Sequence, residues 1–279
     1  MLASEVKKAE FNEESWWSKW VDETVWVTPD AYAIFSDRFR DEDFFNHAGF
    51  LEPEGEAEVI VGLIEKEFGY REVPCCMFVQ DGSRWDGLHE VLSSRGYKVA
   101  DVMSVMEFGK KEKAGEGAQR SASSDPDLET IVLGSRPTRE DLREWSRAYL
   151  EAFYGDVTLL DAVQGIMEKV VGDGGTTMAT TSLVLARAHE TTVGCASLHR
   201  TGDDLAGAFC IGTVPDFRRK GVGAAMLGCM LSISEREKRK LVLQTLVSDA
   251  AEGFYLKQGF ERAYSKSVFV RGPGEEGGR

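Results

Sequence analysis

Phe209–Leu227 reads FCIGTVPDFRRKGVGAAML, and the rest of the chain is arranged around it. Phe209, Ile211 and Val214 predict a short apolar strand, stopped by Pro215. Arg218, Arg219, Lys220, Gly221, Val222 and Gly223 then make a basic, glycine-punctuated turn, and Ala224–Leu227 opens a helix. Glycine has no Cβ, so the backbone at Gly221 and Gly223 can pass close to a ligand. The first N–H groups of a helix have no intrahelical acceptor and carry partial positive charge. Two arginines and a lysine stand at the same point. Strand, turn and helix together predict an anion site, suited to a phosphate or pyrophosphate.

Working outward, the segment upstream predicts a strand at Glu129–Leu133. A helix follows from Thr138, whose Asp141 three residues on suggests a capping box. That helix places Leu142, Trp145, Tyr149 and Phe153 on one face. A second helix is expected over Asp161–Val171, then strands over Thr177–His189 and Thr192–His199, and a turn at Thr201–Asp204. Downstream, Lys240–Val247 reads as a buried strand and Ser248 as the cap of a helix running to about Lys257. Gly259 ends that helix, and Ser265–Arg271 is a last strand.

Residues 1–110 form a separate unit in this reading. It has an aromatic, acidic opening (Trp16, Trp17, Trp20, Trp26) and a helix from Glu56 to Phe68 facing inward with Val59, Leu63, Ile64 and Phe68. A strand at Cys75–Val79, a helix at Trp85–Ser94 capped by Gly96, and strand structure over Val99–Phe108 complete it. Residues 111–127 are small and polar and read as a flexible linker. Residues 128–272 are the second domain, and 273–279 a disordered tail. The two units rhyme: one shift carries Gly96–Tyr97 onto Gly259–Phe260 (259 − 96 = 163). In each copy the order is strand, helix, Gly-aromatic, strand, and Leu92 falls where Tyr255 stands.

Composition narrows the function classes. A net charge of −14 argues against general nucleic-acid binding, which rewards dispersed Lys and Arg. No apolar run reaches the ~18 residues of a membrane span, and no basic-then-apolar leader opens the chain. Five cysteines without a CxxC pair fit reduced cytosolic thiols, and the four histidines show no metal-ligand spacing. A cytoplasmic protein without metal is expected.

Two motifs in order around a strand carry a resemblance. The first is Arg218-x-x-Gly221-x-Gly223. The second is Ser248-Asp-Ala-Ala251-Glu-Gly-Phe-Tyr255-Leu-Lys-Gln-Gly259-Phe260. Over about Glu129–Arg271 the chain resembles the GNAT superfamily of acyl-CoA-dependent N-acetyltransferases. The resemblance implies an α/β (α+β) fold with a mixed, mostly antiparallel sheet flanked by helices. An intact C-terminal copy would follow a degenerate N-terminal one. It implies acetyl-CoA as cosubstrate and an amine as acceptor, with direct attack in a ternary complex. By the family pattern, backbone N–H groups from Arg219 through Lys220, Gly221, Val222 and Gly223 to Ala224 wrap the CoA pyrophosphate. Arg218 holds the Q/R position. Ile211 and Thr213 fall where main chain pairs with the pantetheine and stabilises the oxyanion. Ser248 replaces the usual Asn, with Ala251 and Phe254 in the same cofactor-binding segment. Tyr255 matches the residue that protonates the leaving thiolate.

The chain departs from the pattern at the general base. Where members of this type often carry Glu, the strand has Ala206–Gly207, and Asp203, Asp204 and His199 are the nearby titratable groups. The first unit lacks the R-x-x-G-x-G motif. Substrate recognition, stability or dimerisation is expected of it, with a homodimer among the assemblies it allows. A catalytically silent CoA-binding regulatory or scaffolding protein is the alternative function.

Overall fold

The computed structural model describes residues 1–52, 55–82, 85–109, 127–134, 137–172 and 179–271. The expected tail at 273–279, the linker at 111–127 apart from Asp127, and residues 173–177 of the glycine-rich GDGGTT segment lie outside them. In chain order the first elements are α1 (Ala3–Trp17), β1 (Glu23–Thr28), β2 (Ala31–Phe35), β3 (His47–Phe50), α2 (Ala57–Arg71), β4 (Cys75–Gln80), α3 (Asp86–Ser94) and β5 (Lys98–Phe108). Then come β6 (Leu128–Val132), α4 (Arg139–Phe153), α5 (Leu160–Gly172), β7 (Ala179–Ala188), β8 (Thr191–Thr201) and β9 (Leu205–Thr213). The last are α6 (Val222–Arg236), β10 (Lys240–Leu246), α7 (Glu252–Lys257) and β11 (Phe260–Arg271). The whole is a mixed, mostly antiparallel α/β arrangement.

The elements gather into two units that do not follow chain order. Unit 1 takes Met1–Met106, Gln244–Leu256 and Glu261–Arg279, and unit 2 takes Glu107–Leu243 with Lys257–Phe260. In unit 1 the strands run in the order β1-β2-β3-β4-β11-β5. β1–β2 and β2–β3 are antiparallel, β3–β4 is parallel, and β4–β11 is antiparallel from Lys266↔Gln80 to Arg271↔Cys75. The last of these strands therefore stands between two strands from residues 75–108. It does so because both its faces are apolar where they meet the unit. Phe269 joins Phe35, Phe50, Ile64, Phe68, Met77 and Leu92 in one cluster, and Val268 joins Cys76, Phe78 and Met103 in another.

The internal repeat is visible in the elements. The shift of 163 that aligns Gly96 with Gly259 (259 − 96 = 163) carries the whole of β5 onto β11. Both glycines take the left-handed conformation at the end of their helices, φ 84° and 92°. Thr138 and Asp141 form the expected capping box at α4.

Two readings of unit 1 differ from the structure. The opening, read only as aromatic and acidic, is a helix: α1 covers Ala3–Trp17. Its buried face carries Glu10, Asn12, Glu13 and Glu14 beside Ala9 and Trp16, so no apolar period marks it. Lys266 of β11 ion-pairs with Glu10 and Glu13, and the Tyr264 hydroxyl donates to Glu10 at 2.5 Å. On α2 the buried side chains are Ile60, Val61, Ile64 and Phe68, while Val59 and Leu63 face solvent. The true inward face is therefore rotated by one residue.

In unit 2 the order is β10-β9-β8-β7-β6, with β10–β9 parallel and the other pairs antiparallel. Helices α4 and α6 pack on β8 and β9. Trp145, Val193, Leu198, Met226, Met230 and Leu241 are buried within it.

Candidate active site

The strand that feeds the basic turn is β9. Its ladder to β10 runs from Leu205↔Lys240 to Ala208↔Leu243 and includes no later residue. Towards β8 it carries a bulge. Phe209 pairs with Ser197 and Gly212 with Cys195, so three steps on β9 match two on β8. Cys210 absorbs the extra residue at φ 52°. Ala196 pairs with Val184 of β7 and sits opposite the bulge without a partner on β9. Its carbonyl accepts from the Trp145 indole of α4 at 2.9 Å. Burial pushes the Cys210 thiol well up, which makes it a poor nucleophile. Ile211 and Thr213 are half-buried at the distal end of this strand.

Past β9, a 3-10 turn at Pro215–Phe217 leads to the basic turn. Arg219 (φ 63°) and Gly221 (φ 88°) are both left-handed, with Lys220 between them. Such alternation curls successive N–H groups into an anion-binding concavity. Gly221 is the N-cap of α6. It supplies no side-chain cap, and the first turn holds no acidic residue. The N–H groups of Val222, Gly223 and Ala224 are thus the helix's own orphan donors; the first intrahelical bond is Ala225 N–H to the Gly221 carbonyl, 2.9 Å. Arg219 and Lys220 are exposed, with the Lys220 ammonium 4.8 Å from the Phe217 ring centre.

Arg218 behaves differently from its expected charge role. Its Nη2 donates to the Ala152 carbonyl at 2.8 Å and its Nε to the Thr213 carbonyl at 3.3 Å. It ties the end of α4 to the end of β9. Gly212 permits that approach: a Cβ there would lie 2.7 Å from Phe153 and 2.8 Å from Ala152. Gly194 on β8 does the same for α6, where a Cβ would meet Val222 at 2.9 Å. Neither glycine nor the Trp145 bond was singled out from sequence, because each depends on a partner distant along the chain.

In the second motif Ser248–Leu256 belong to unit 1 and Lys257–Phe260 to unit 2. Ser248 is exposed and hydrogen-bonds Asp101 of β5, rather than capping the helix, which starts at Glu252. Ala251 accepts from the N–H groups of Phe254 (2.9 Å) and Tyr255 (3.2 Å). Tyr255 is 8% exposed, its ring 5.1 Å from that of Phe254. Burial, and then the Asp249 charge, push its phenol up to about 12, so it is protonated at neutral pH. Leu92, its counterpart in the repeat, is fully buried.

Among the base candidates, Asp203 and Asp204 are exposed in the turn before β9. His199 is fully buried, pairs with Gly207 across the ladder, and has Nδ1 2.8 Å from the Thr181 hydroxyl. Among the described residues no cluster of His, Cys, Asp and Glu could hold a metal, and no helix is long and apolar enough to cross a membrane.

Residues 179–262 match the family described as acetyltransferase (GNAT) domain, a span that includes both motifs. That stretch is similar to the GNAT acetyltransferase domain. No curated protein matches the sequence. Among solved structures, a GCN5-related N-acetyltransferase from Kribbella flavida is 15% identical over 96% of each chain, with a TM-score of 0.65. One from Sphaerobacter thermophilus is 15% identical over 87% of this chain and 76% of that one, TM-score 0.63. A tandem GNAT protein from the clavulanic acid biosynthesis pathway is 11% identical over 84% and 76%, TM-score 0.61. At such identities the likeness is one of fold. It extends the GNAT fold to the N-terminal half.

Proposed function

We propose that this protein is a GNAT N-acyltransferase that moves an acetyl group from acetyl-CoA to an amine by direct attack. The observation that carries the reading is the start of α6. A bulged strand enters an uncapped, acid-free helix N-terminus through two left-handed residues, with Arg219 and Lys220 at its mouth. That arrangement suits a pyrophosphate. In this reading the backbone from Arg219 to Ala224 holds the pyrophosphate, and Arg218 holds the shape of the turn. The main chain of Ile211 and Thr213 meets the pantetheine. Ser248, Ala251 and Phe254 belong to the same cofactor-binding set, and Tyr255 gives its proton to the departing thiolate. A neutral, buried phenol is a competent donor to a thiolate. Ala206 and Gly207 offer no carboxylate, so the acceptor loses its proton without help from β9 itself. Catalysis then rests on positioning and oxyanion stabilisation.

The test has two arms. Saturating CoA at 100 times its Kd should add about 2.7 kcal/mol to stability, read as a rise in melting temperature. Gly221→Glu, which places a charged side chain at a left-handed site, should abolish the rise. No shift with millimolar CoA in the wild type would overturn the CoA site. In the second arm, acetyl-CoA is incubated with a pool of primary amines: polyamines, amino sugars, amino acids, arylalkylamines and lysine peptides. Acetylation of one or more is expected. CoA binding without turnover on the whole pool would instead leave a silent CoA-binding protein.

A further inference from the structure

We propose that Ser104 and Arg262 are positioning residues for Tyr255, acting through Glu252 at the start of α7. This rests on the reading of Tyr255 as the proton donor. The helix that carries Tyr255 has only six residues. A helix of that length does not hold itself in water. It is held by its carboxylate instead. Arg262 of β11 donates Nε to Glu252 Oε1 at 3.0 Å, and Nη2 to Oε1 at 2.7 Å and Oε2 at 2.6 Å. The buried Ser104 hydroxyl of β5 donates to Oε2 at 3.2 Å. These bonds from Arg262 keep the Glu252 carboxyl below its ordinary range.

The upstream end is held by the same strand. The Val247 N–H donates to the Val102 carbonyl at 2.8 Å, and Ser248 bonds Asp101. The segment from Val247 to Glu252 is therefore fixed at both ends. Glu252 and Tyr255 stand three residues apart, which makes them neighbours on one helix face. Rotation of α7 that displaced the Glu252 carboxylate would displace the phenol. Arg262 is half-exposed, and ion pairs of that kind contribute little stability. A forked guanidinium–carboxylate contact does fix direction. The inference gives the N-terminal copy a part in the chemistry: β5, the repeat-mate of β11, supplies the hydroxyl and the carboxylate that hold the donor segment.

The experiment compares wild type, Arg262→Gln, Ser104→Ala, Tyr255→Phe and the double variant Arg262→Gln/Tyr255→Phe. Turnover is read with the same amine pool, and CoA affinity by calorimetry. Arg262→Gln should lower kcat by about 10- to 100-fold, with KM for acetyl-CoA and CoA affinity within about twofold of wild type. In the Tyr255→Phe background the same change should lower kcat no further, because a residue that acts through another is not additive with it. A purely structural role would subtract equally from both backgrounds, and that result overturns the proposal. So does wild-type kcat in both Arg262→Gln and Ser104→Ala. Wild-type kcat in Tyr255→Phe removes the donor, and this proposal with it. A wild type that acetylates nothing in the pool fails the acyltransferase reading itself.

Discussion

Single residues in unit 1 carry charge where a core would be expected to carry none. Glu14 on α1 is 6% exposed, and burial pushes its carboxyl up to about 7 from 4.5. An acid whose folded pKa is raised holds its proton longer in the native state than in the unfolded one. The native advantage is full below the unfolded value and is lost as pH rises through about 7. Wild-type stability should therefore fall between pH 5 and 8. Glu14→Gln keeps the shape without the charge. It should match wild type near pH 5 and exceed it at pH 8 by on the order of 3 kcal/mol. Urea unfolding at the two pH values checks this, and equal differences at both would show that Glu14 ionises freely in the native state. The buried Lys266 cannot substitute for this test. It is bound to Glu10 and Glu13, and removing it would strand both carboxylates.

At the scale of elements, the β9 bulge is held by a helix. Ala196 has no partner on β9, and its carbonyl accepts from the Trp145 indole, 2.9 Å away. Trp145→Phe keeps most of the apolar volume and removes the donor. Losing that buried hydrogen bond should cost about 0.5–1.5 kcal/mol. CoA affinity should fall as well, since Ile211 lies in the bulged stretch. Denaturant titration and calorimetry read the two effects. A stability loss with unchanged CoA affinity would separate the bulge from the ligand. The same elements show what was legible beforehand. Pro215 and Gly221 declare a turn through their own backbone chemistry, and Thr138–Asp141 declares a cap within four residues. Cys210 in a left-handed conformation declares nothing, because the bulge arises from its pairing with β8. α1 was hidden for the opposite reason: its partners are a lysine and a tyrosine more than 250 residues away, so its buried face looks like a solvated one.

For the whole molecule, the repeat and the sheet of unit 1 say different things about where a domain ends. The repeat divides the chain near the segment 111–127, which reads as a linker. The sheet of unit 1 places β11 between β4 and β5. Two buried clusters are completed by Val268 and Phe269, and the α1 carboxylates by Lys266. A chain of residues 1–110 alone would leave the β11 side of β4 unpaired along Cys75–Gln80 and leave Glu10 and Glu13 without their counter-ion. Such a fragment should not unfold cooperatively. The measurement is direct, because five of the six tryptophans (Trp16, Trp17, Trp20, Trp26 and Trp85) lie within it. Its emission should be red-shifted and change without a sigmoidal transition in urea. The full chain should show one. A cooperative transition in the fragment would mean that β5 can take the place of β11 beside β4, as its position in the repeat allows. In that case the placement of β11 would be a choice between two equivalent strands, and the N-terminal copy a domain in its own right.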